Sequence, residues 1–208
     1  MRVNKLPSPL MVTTQFDTLI DTYLSNKAGI DKNFLSDKLV KGLQQNISQL
    51  YSTNKMTQAG IGNATIKDSN QKMRGDKIYW LDKTNNNVFE QEFLELAESF
   101  IAHLNSSCYT GIHNYEFHYA IYEAGSYYKK HIDQFQSDNK RKFSFINYLN
   151  DDWQEADGGQ LHLYYDGGVQ KIQPESKTAV FFKSNEMEHE VVLCNRSRMS
   201  ISGWLKSS

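Results

Sequence analysis

Two histidines, an aspartate and an arginine are the residues of this sequence whose types and spacing suit chemistry. His131-Ile132-Asp133 sets an imidazole and a carboxylate two residues apart, and side chains two apart on a β-strand share a face, so the pair can aim at one metal ion. A third ligand is needed. His189 supplies it within Phe181-Phe182-Lys183-Ser184-Asn185-Glu186-Met187-Glu188-His189-Glu190-Val191, and Arg198 follows nine residues later. Two histidines and one carboxylate make the facial triad that leaves coordination positions open on Fe(II). Taken singly, each residue has an ordinary alternative: His-x-Asp as a satisfied polar pair, His189 between two glutamates as a surface histidine, Arg198 as a solvated strand arginine. The combination and its order point to the metal site.

Rigid elements must hold these residues. From Tyr115 the apolar period is two: Tyr115, Phe117, Tyr119 and Ile121 alternate with Glu116, His118, Ala120 and Tyr122. This predicts a half-buried strand with His118 on its more polar side, in a structural or solvent-facing part. Further strands are expected at 142–149, 160–165, 177–182, 189–193 and 199–205, with turns at Gly158-Gly159 and Asp166-Gly167-Gly168. Short strands punctuated by glycine turns predict a closed or double-sheet β architecture.

Ahead of them the period is helical. Residues 1–12 read as a loose leader held by Pro7 and Pro9, after which Phe16, Leu19, Ile20, Tyr23 and Leu24 form an amphipathic face. Ser36 is the expected N-cap of a second helix carrying Leu39, Val40, Leu43, Ile47, Leu50 and Tyr51, and a third helix runs from Phe89 to Leu104. Met73 to Leu81 reads as a turn entering a strand, with Arg74-Gly75-Asp76 an exposed turn rather than an adhesion motif. The expectation is an α+β chain, helices first and jelly roll second. It forms one domain over 1–208, with 1–110 mainly supporting helices and loop and 111–208 the jelly-roll catalytic core.

Composition narrows the function. The 208 residues suffice for one well-buried core. A formal net charge of -1 provides no global basic field, which disfavours nucleic acid and anionic membrane as partners, a nucleic-acid demethylase included. No stretch approaches the roughly 18 apolar residues of a membrane span, and no apolar run follows the basic residues near the N-terminus. Cys108 and Cys194 are too few for a disulfide framework and read as free thiols of a reducing compartment, so the expected location is cytoplasmic.

Together the motifs resemble the prolyl hydroxylases of the Fe(II)/2-oxoglutarate oxygenase superfamily, in particular the prolyl 4-hydroxylase group that includes the oxygen-sensing enzymes and their bacterial relatives. The resemblance covers roughly residues 70 to 205. Its pieces are Met73 to Trp80, His131-Ile132-Asp133, Arg141, Ile146-Asn147-Tyr148-Leu149-Asn150-Asp151-Asp152-Trp153, Gly158-Gly159-Gln160-Leu161, Phe181 to Val191, and Arg198 to Trp204. Tyr122 to Tyr127 departs from the pattern, being a residue short and lacking the Pro-Gly of some relatives.

This resemblance implies a double-stranded β-helix fold and Fe(II) held by His131, Asp133 and His189, with three positions left for the keto-acid end of 2-oxoglutarate and for dioxygen. It implies Arg198 as partner of the far carboxylate of 2-oxoglutarate, a task suited to a planar guanidinium that binds bidentately and stays charged. The Tyr148 hydroxyl joins it there. Ile146, Trp204 and Tyr122 become walls of the cosubstrate pocket, although Ile146 and Trp204 read equally well as ordinary core. Ascorbate is expected as supporting reductant. The implied activity is hydroxylation of a prolyl residue in a protein or peptide, with release of succinate and CO2; kinship with bacterial relatives suggests a translation component as target. Gln58 to Lys72 and Gln134 to Lys140 are candidate loops for receiving a polypeptide. Other readings stay open: an oxygenase of a free amino acid or other small molecule, a non-catalytic metal-containing jelly-roll binding module, and a zinc hydrolase. The last two leave Arg198 without a task. His103, His113 and His162 receive no role.

Overall fold

The computed structural model describes residues 9–60, 73–134 and 140–207. Most of both polar segments considered as polypeptide-receiving loops, namely 61–72 and 135–139, lies outside the described residues. Helix α1 (Pro9–Asn26) begins inside the expected leader. Proline has a preset φ and no N–H to satisfy, so at the first position of a helix it starts the element rather than blocking it. Helix α2 (Asp37–Ser52) is capped by Ser36, whose hydroxyl accepts the Leu39 N–H at 3.2 Å, and buries Leu39, Val40, Leu43, Ile47 and Leu50 along one face. Helix α3 (Val88–Cys108) is capped by the Asn87 side chain and stops at Tyr109, which turns into the left-handed region with φ 52°.

The strands form two antiparallel sheets. The larger runs β1 (Ala28–Asp31), β9 (Ala179–Lys183), β6 (Arg141–Tyr148), β11 (Arg198–Lys206), β4 (Asn114–Tyr122), β3 (Asp76–Trp80) and β2 (Thr57–Gln58). The smaller runs β5 (Tyr128–His131), β10 (Glu188–Val191), β7 (Leu161–Tyr165) and β8 (Gly168–Ile172). The result is an α+β chain with a double-stranded β-helix core, the two sheets facing each other and the helices on the outer face of the larger one. Strands β1, β2 and β3 come from the first 110 residues, so that part supplies sheet as well as helix.

Period two along β4 divides its side chains between two cores. Phe117, Tyr119 and Ile121 pack towards the helices with Phe93, Phe100, Phe145 and Phe181, while Ala120 and Tyr122 face the smaller sheet with Ile146, Tyr148, Leu161 and Phe182. In the helix-facing core the Phe100 ring lies 5.2 Å from Phe145 and 5.3 Å from Phe181 between centroids, contacts worth about 1 kcal/mol each beyond the area they bury. Phe117 to Tyr122 are therefore buried on both faces, not half-buried as the alternation suggests. A central strand covered by helices on one side and a sheet on the other directs its polar residues into an interior cavity instead of water.

Candidate metal centre and carboxylate pocket

Strands β5 and β10 are neighbours, and their register sets His131 directly opposite His189. Each ring is fixed through Nδ1, which lies 2.7 Å from the Lys129 carbonyl oxygen in His131 and 3.0 Å from that of Met187 in His189. A carbonyl only accepts, so Nδ1 carries the proton and each Nε2 keeps its lone pair. His131 is the last residue of β5, and Asp133 lies in the bend beyond it. Strand alternation thus stops short of Asp133. What aims its carboxylate is Ser144, which donates to Oδ2 at 2.6 Å and is itself bonded to the Ser184 hydroxyl at 2.9 Å.

The ligand atoms of His131, Asp133 and His189 lie within 4.8 Å of one another. Nε2 of His131 is buried and has no hydrogen-bond partner; its 3.4 Å separation from Asp133, like the 3.6 Å separation of His189 Nε2, exceeds an ordinary hydrogen bond. Burial pushes the Asp133 carboxyl up, but the neighbouring His189 and His131 and the Ser144 bond outweigh it and hold the group well below the usual carboxylate range. Burial also pushes His189 down, favouring the neutral ring. A permanent carboxylate and two inward lone pairs, each held from behind by a second partner, suit an Fe(II) ion.

Arg198 begins β11 and is 2% exposed. Its guanidinium is flanked by the rings of Tyr122 at 5.0 Å and Tyr148 at 4.9 Å, and its Nε has no hydrogen-bond partner. The buried Tyr148 hydroxyl also lacks one. Burial raises both tyrosines, so their hydroxyls stay protonated. A buried cation without its counter-charge is costly, and a carboxylate would satisfy it with two charge-assisted bonds.

The surrounding motif seats this arginine. Asn150 accepts the Met199 N–H at 2.6 Å and donates to the Met199 and Pro174 carbonyls at 3.0 and 2.7 Å. Gly159, at φ +63°, sits where a Cβ would lie 3.0 Å from Cys194 Sγ and 3.2 Å from Arg198 Cδ, so a larger residue would press on the arginine stem. Trp153 donates through its indole to the Gly158 carbonyl at 3.0 Å. Asn150 thus ties down the residue after Arg198, Trp153 holds Gly158, and Gly159 leaves room for the arginine stem.

A single cavity joins the two parts. His131, Asp133, His189 and Arg198 line it together with Ile146, Tyr122 and Trp204, while Tyr148 stands beside Arg198. Of the two alternatives for His118, structural or solvent-facing, burial excludes the second, and Arg74-Gly75-Asp76 departs from the sequence reading. His118 is 3% exposed and lines this cavity between Trp80 and Trp204, whose rings lie 4.9 and 5.6 Å away, so it does not face solvent. Burial, aided by the Arg74 charge, depresses it to about 4, and its Nδ1 has no partner. Arg74-Gly75-Asp76 is not an exposed turn either. Asp76 is fully buried and receives the Arg74 Nε–H at 2.6 Å; the Arg74 guanidinium lies 4.4 Å over the Tyr128 ring, which stacks on His131 at 3.6 Å. This stack backs the first histidine of the cluster. The shared face of His118, Ala120 and Tyr122 was the signal that could have found His118.

Residues 117–206 match the model of the 2OG-Fe(II) oxygenase superfamily. Over 192 residues the chain is 29% identical to Egl nine homolog 1 of Rattus norvegicus, covering 86% of this chain and 55% of that protein. It spans about half the length of the curated relatives it matches. A Pseudomonas putida prolyl-4-hydroxylase superposes with a TM-score of 0.83 at 27% identity, over 93% of this chain and 99% of that one. A prolyl hydroxylase in complex with a hypoxia inducible factor oxygen degradation domain peptide fragment, from Trichoplax adhaerens, shares the fold at a TM-score of 0.86 and 24% identity, over 99% and 96% of the two chains. The cluster of His131, Asp133 and His189 and the buried Arg198 both fall inside the region that matches this superfamily.

Proposed function

We propose that the protein is an Fe(II)- and 2-oxoglutarate-dependent dioxygenase that hydroxylates a prolyl residue in a protein or peptide, releasing succinate and CO2. The observation that carries this is Arg198, a buried guanidinium flanked by tyrosines in the same cavity as the two-histidine, one-carboxylate cluster. 2-Oxoglutarate offers a carboxylate to Arg198 and a keto acid to the metal in one molecule. A zinc hydrolase or a metal-stabilised binding module has no use for that receptor. The prolyl target rests on similarity to the Pseudomonas putida enzyme along nearly the full length of both chains.

When bound, the iron and the keto acid supply the oxidising chemistry, dioxygen being divided between succinate and the new hydroxyl group. The chain's own residues hold and orient. The Lys129 and Met187 carbonyls fix the imidazoles of His131 and His189, and Ser144 fixes Asp133. Arg198 would hold the far carboxylate with its two-pronged fork and the Tyr148 hydroxyl would donate beside it, orienting the cosubstrate. Ala120, Ile146, Leu161 and Val191 line the cavity with apolar surface and limit water there.

Three extensions belong to the same proposal. Ascorbate serves as supporting reductant for an iron that is open to oxidation. The target is a translation component, an inference from bacterial kinship. The location is cytoplasmic, in keeping with two unpaired cysteines, and no described helix is long and apolar enough to cross a membrane.

Purified protein incubated with Fe(II), 2-oxoglutarate, ascorbate and a lysate of the source cells tests the proposal, beside a His131→Ala control. Mass spectrometry is expected to find succinate and new hydroxyproline with the intact protein alone. Succinate without hydroxyproline would move the substrate to a small molecule or another residue type. Neither product, from protein shown to hold iron, would overturn the oxygenase assignment.

A further inference from the structure

The cavity contains a polar group with no part in holding iron or 2-oxoglutarate. His118 lies mid-strand on β4, in register with Ser202 of β11 and Trp80 of β3, and Ser202 in turn faces Ile146 of β6. Its ring is set edge-on to Trp80 at 62° and tilted at 35° to Trp204. Held between two indoles, it cannot swing its nitrogens to water without giving up both contacts. Its Nδ1 is nevertheless buried and unpartnered, as is the Trp204 Nε1 next to it. Buried polar atoms are normally satisfied, and one on a cavity-lining residue that is not calls for a ligand group.

The chemistry of that group follows from its surroundings. A flat wall of indole and imidazole suits a saturated ring. An X-Pro bond has no N–H, so the polar atoms flanking a peptide-linked proline ring on that bond are carbonyl oxygens, which only accept. A free amino acid would instead bring a carboxylate and need a cation. Of the cations beside this wall, Arg141 is already bound to Glu116 at 2.8 Å and stacked 3.5 Å over Trp204, and Arg74 is bound to Asp76 at 2.6 Å.

We propose that His118 is a specificity-determining residue, donating an Nδ1–H hydrogen bond to a main-chain carbonyl beside the target proline, so that the site takes amide-linked proline in preference to the free amino acid. The proposal rests on the prolyl hydroxylase reading and assigns a residue to the choice of peptide-linked over free proline. It also gives a task to a residue otherwise spent on an unsatisfied nitrogen, since a site built to bond a polar group rejects ligands that lack it.

The test uses the iron-loaded enzyme and, as probe, a library of acetylated, amidated nonapeptides with a central proline and randomised flanks, alongside free L-proline. His118→Leu removes the donor; His118→Asn puts an amide N–H near the Nδ1 position; His118→Gln carries it out to the Nε2 position. Expected is a rise of about tenfold in the peptide KM for the Leu variant, larger than any rise in the 2-oxoglutarate KM. Asn should recover most of the loss and Gln little, a contrast that stands even if the Leu variant fails to fold. Asn and Gln behaving alike, peptide and 2-oxoglutarate KM rising in parallel, or free proline turning over as well as the peptides would overturn the assignment. Succinate from wild-type enzyme with no hydroxyproline in any peptide overturns the prolyl reading itself, and the His118 assignment falls with it.

Discussion

At the scale of single residues, Arg198 is distinguished from an ordinary buried arginine by what it lacks. Tyrosine rings flank it and its Nε is unpartnered. Arg198→Lys keeps the charge but loses the fork, and charged hydrogen bonds contribute about 1.5–3 kcal/mol, so the 2-oxoglutarate KM should rise by roughly tenfold to a hundredfold. Initial rates against cosubstrate concentration measure this directly. An unchanged KM would mean that the far carboxylate binds elsewhere. That His131, Asp133, His189 and Arg198 would gather at one cavity was legible in the sequence, because the signal lies in residue type, order and spacing. His118 and the Arg74-Asp76 pair were not, because whether a polar residue meets water or a cavity depends on what covers the strand.

At the scale of elements, the strongest local determinant is the tie between the end of β6 and the start of β11. Asn150 makes two hydrogen bonds across it to Met199, the residue after Arg198, and a third to the Pro174 carbonyl. Asn150→Ala leaves those backbone groups without their partner, so a loss of about 2–3 kcal/mol is expected, together with a weaker grip on 2-oxoglutarate as Arg198 loosens. A thermal melt reads the first effect and a cosubstrate titration the second; a melt that shifts while the titration does not would separate Asn150 from the pocket. Helical faces on α2 and α3 and the long strands β4, β6 and β11 were legible from periodicity, since each repeats its pattern over several turns or pairs. Strands β1 and β2 are four and two residues long, too short to show a period. They exist because β9 and β3 offer them an edge. Pro9 misled for another reason: a proline reads as a break unless the helix starts on it.

At the scale of the whole molecule, β4 is covered on both faces, and this gives the fold a sensitivity to acid. His118 stays neutral in the folded protein down to about pH 4, whereas its ordinary value is 6.5. Between those values the unfolded chain binds the extra proton, so stability is full above about pH 6.5 and falls as the pH drops towards 4, by roughly 3 kcal/mol in all. Denaturant midpoints of the metal-free protein across this range, compared with His118→Leu, measure the contribution. The variant is expected to show a shallower decline on the acid side, and an identical slope would contradict the buried neutral imidazole. The layered α+β plan was legible because helices precede strands in the chain, but the burial that makes His118 and Asp76 interior arises only when both sheets and the helices assemble.

If one cavity uses dioxygen and 2-oxoglutarate together to oxidise a prolyl residue, the two atoms of dioxygen part between two products. The most direct measurement supplies the enzyme with 18O2, unlabelled 2-oxoglutarate and the source-cell lysate, and follows the label by mass spectrometry. The new hydroxyproline is expected to carry 18O from the gas, succinate to form with label in its new carboxyl, and both signals to vanish in His131→Ala. Product oxygen drawn from water, or turnover that continues without 2-oxoglutarate, would contradict it and favour a hydrolytic metal site.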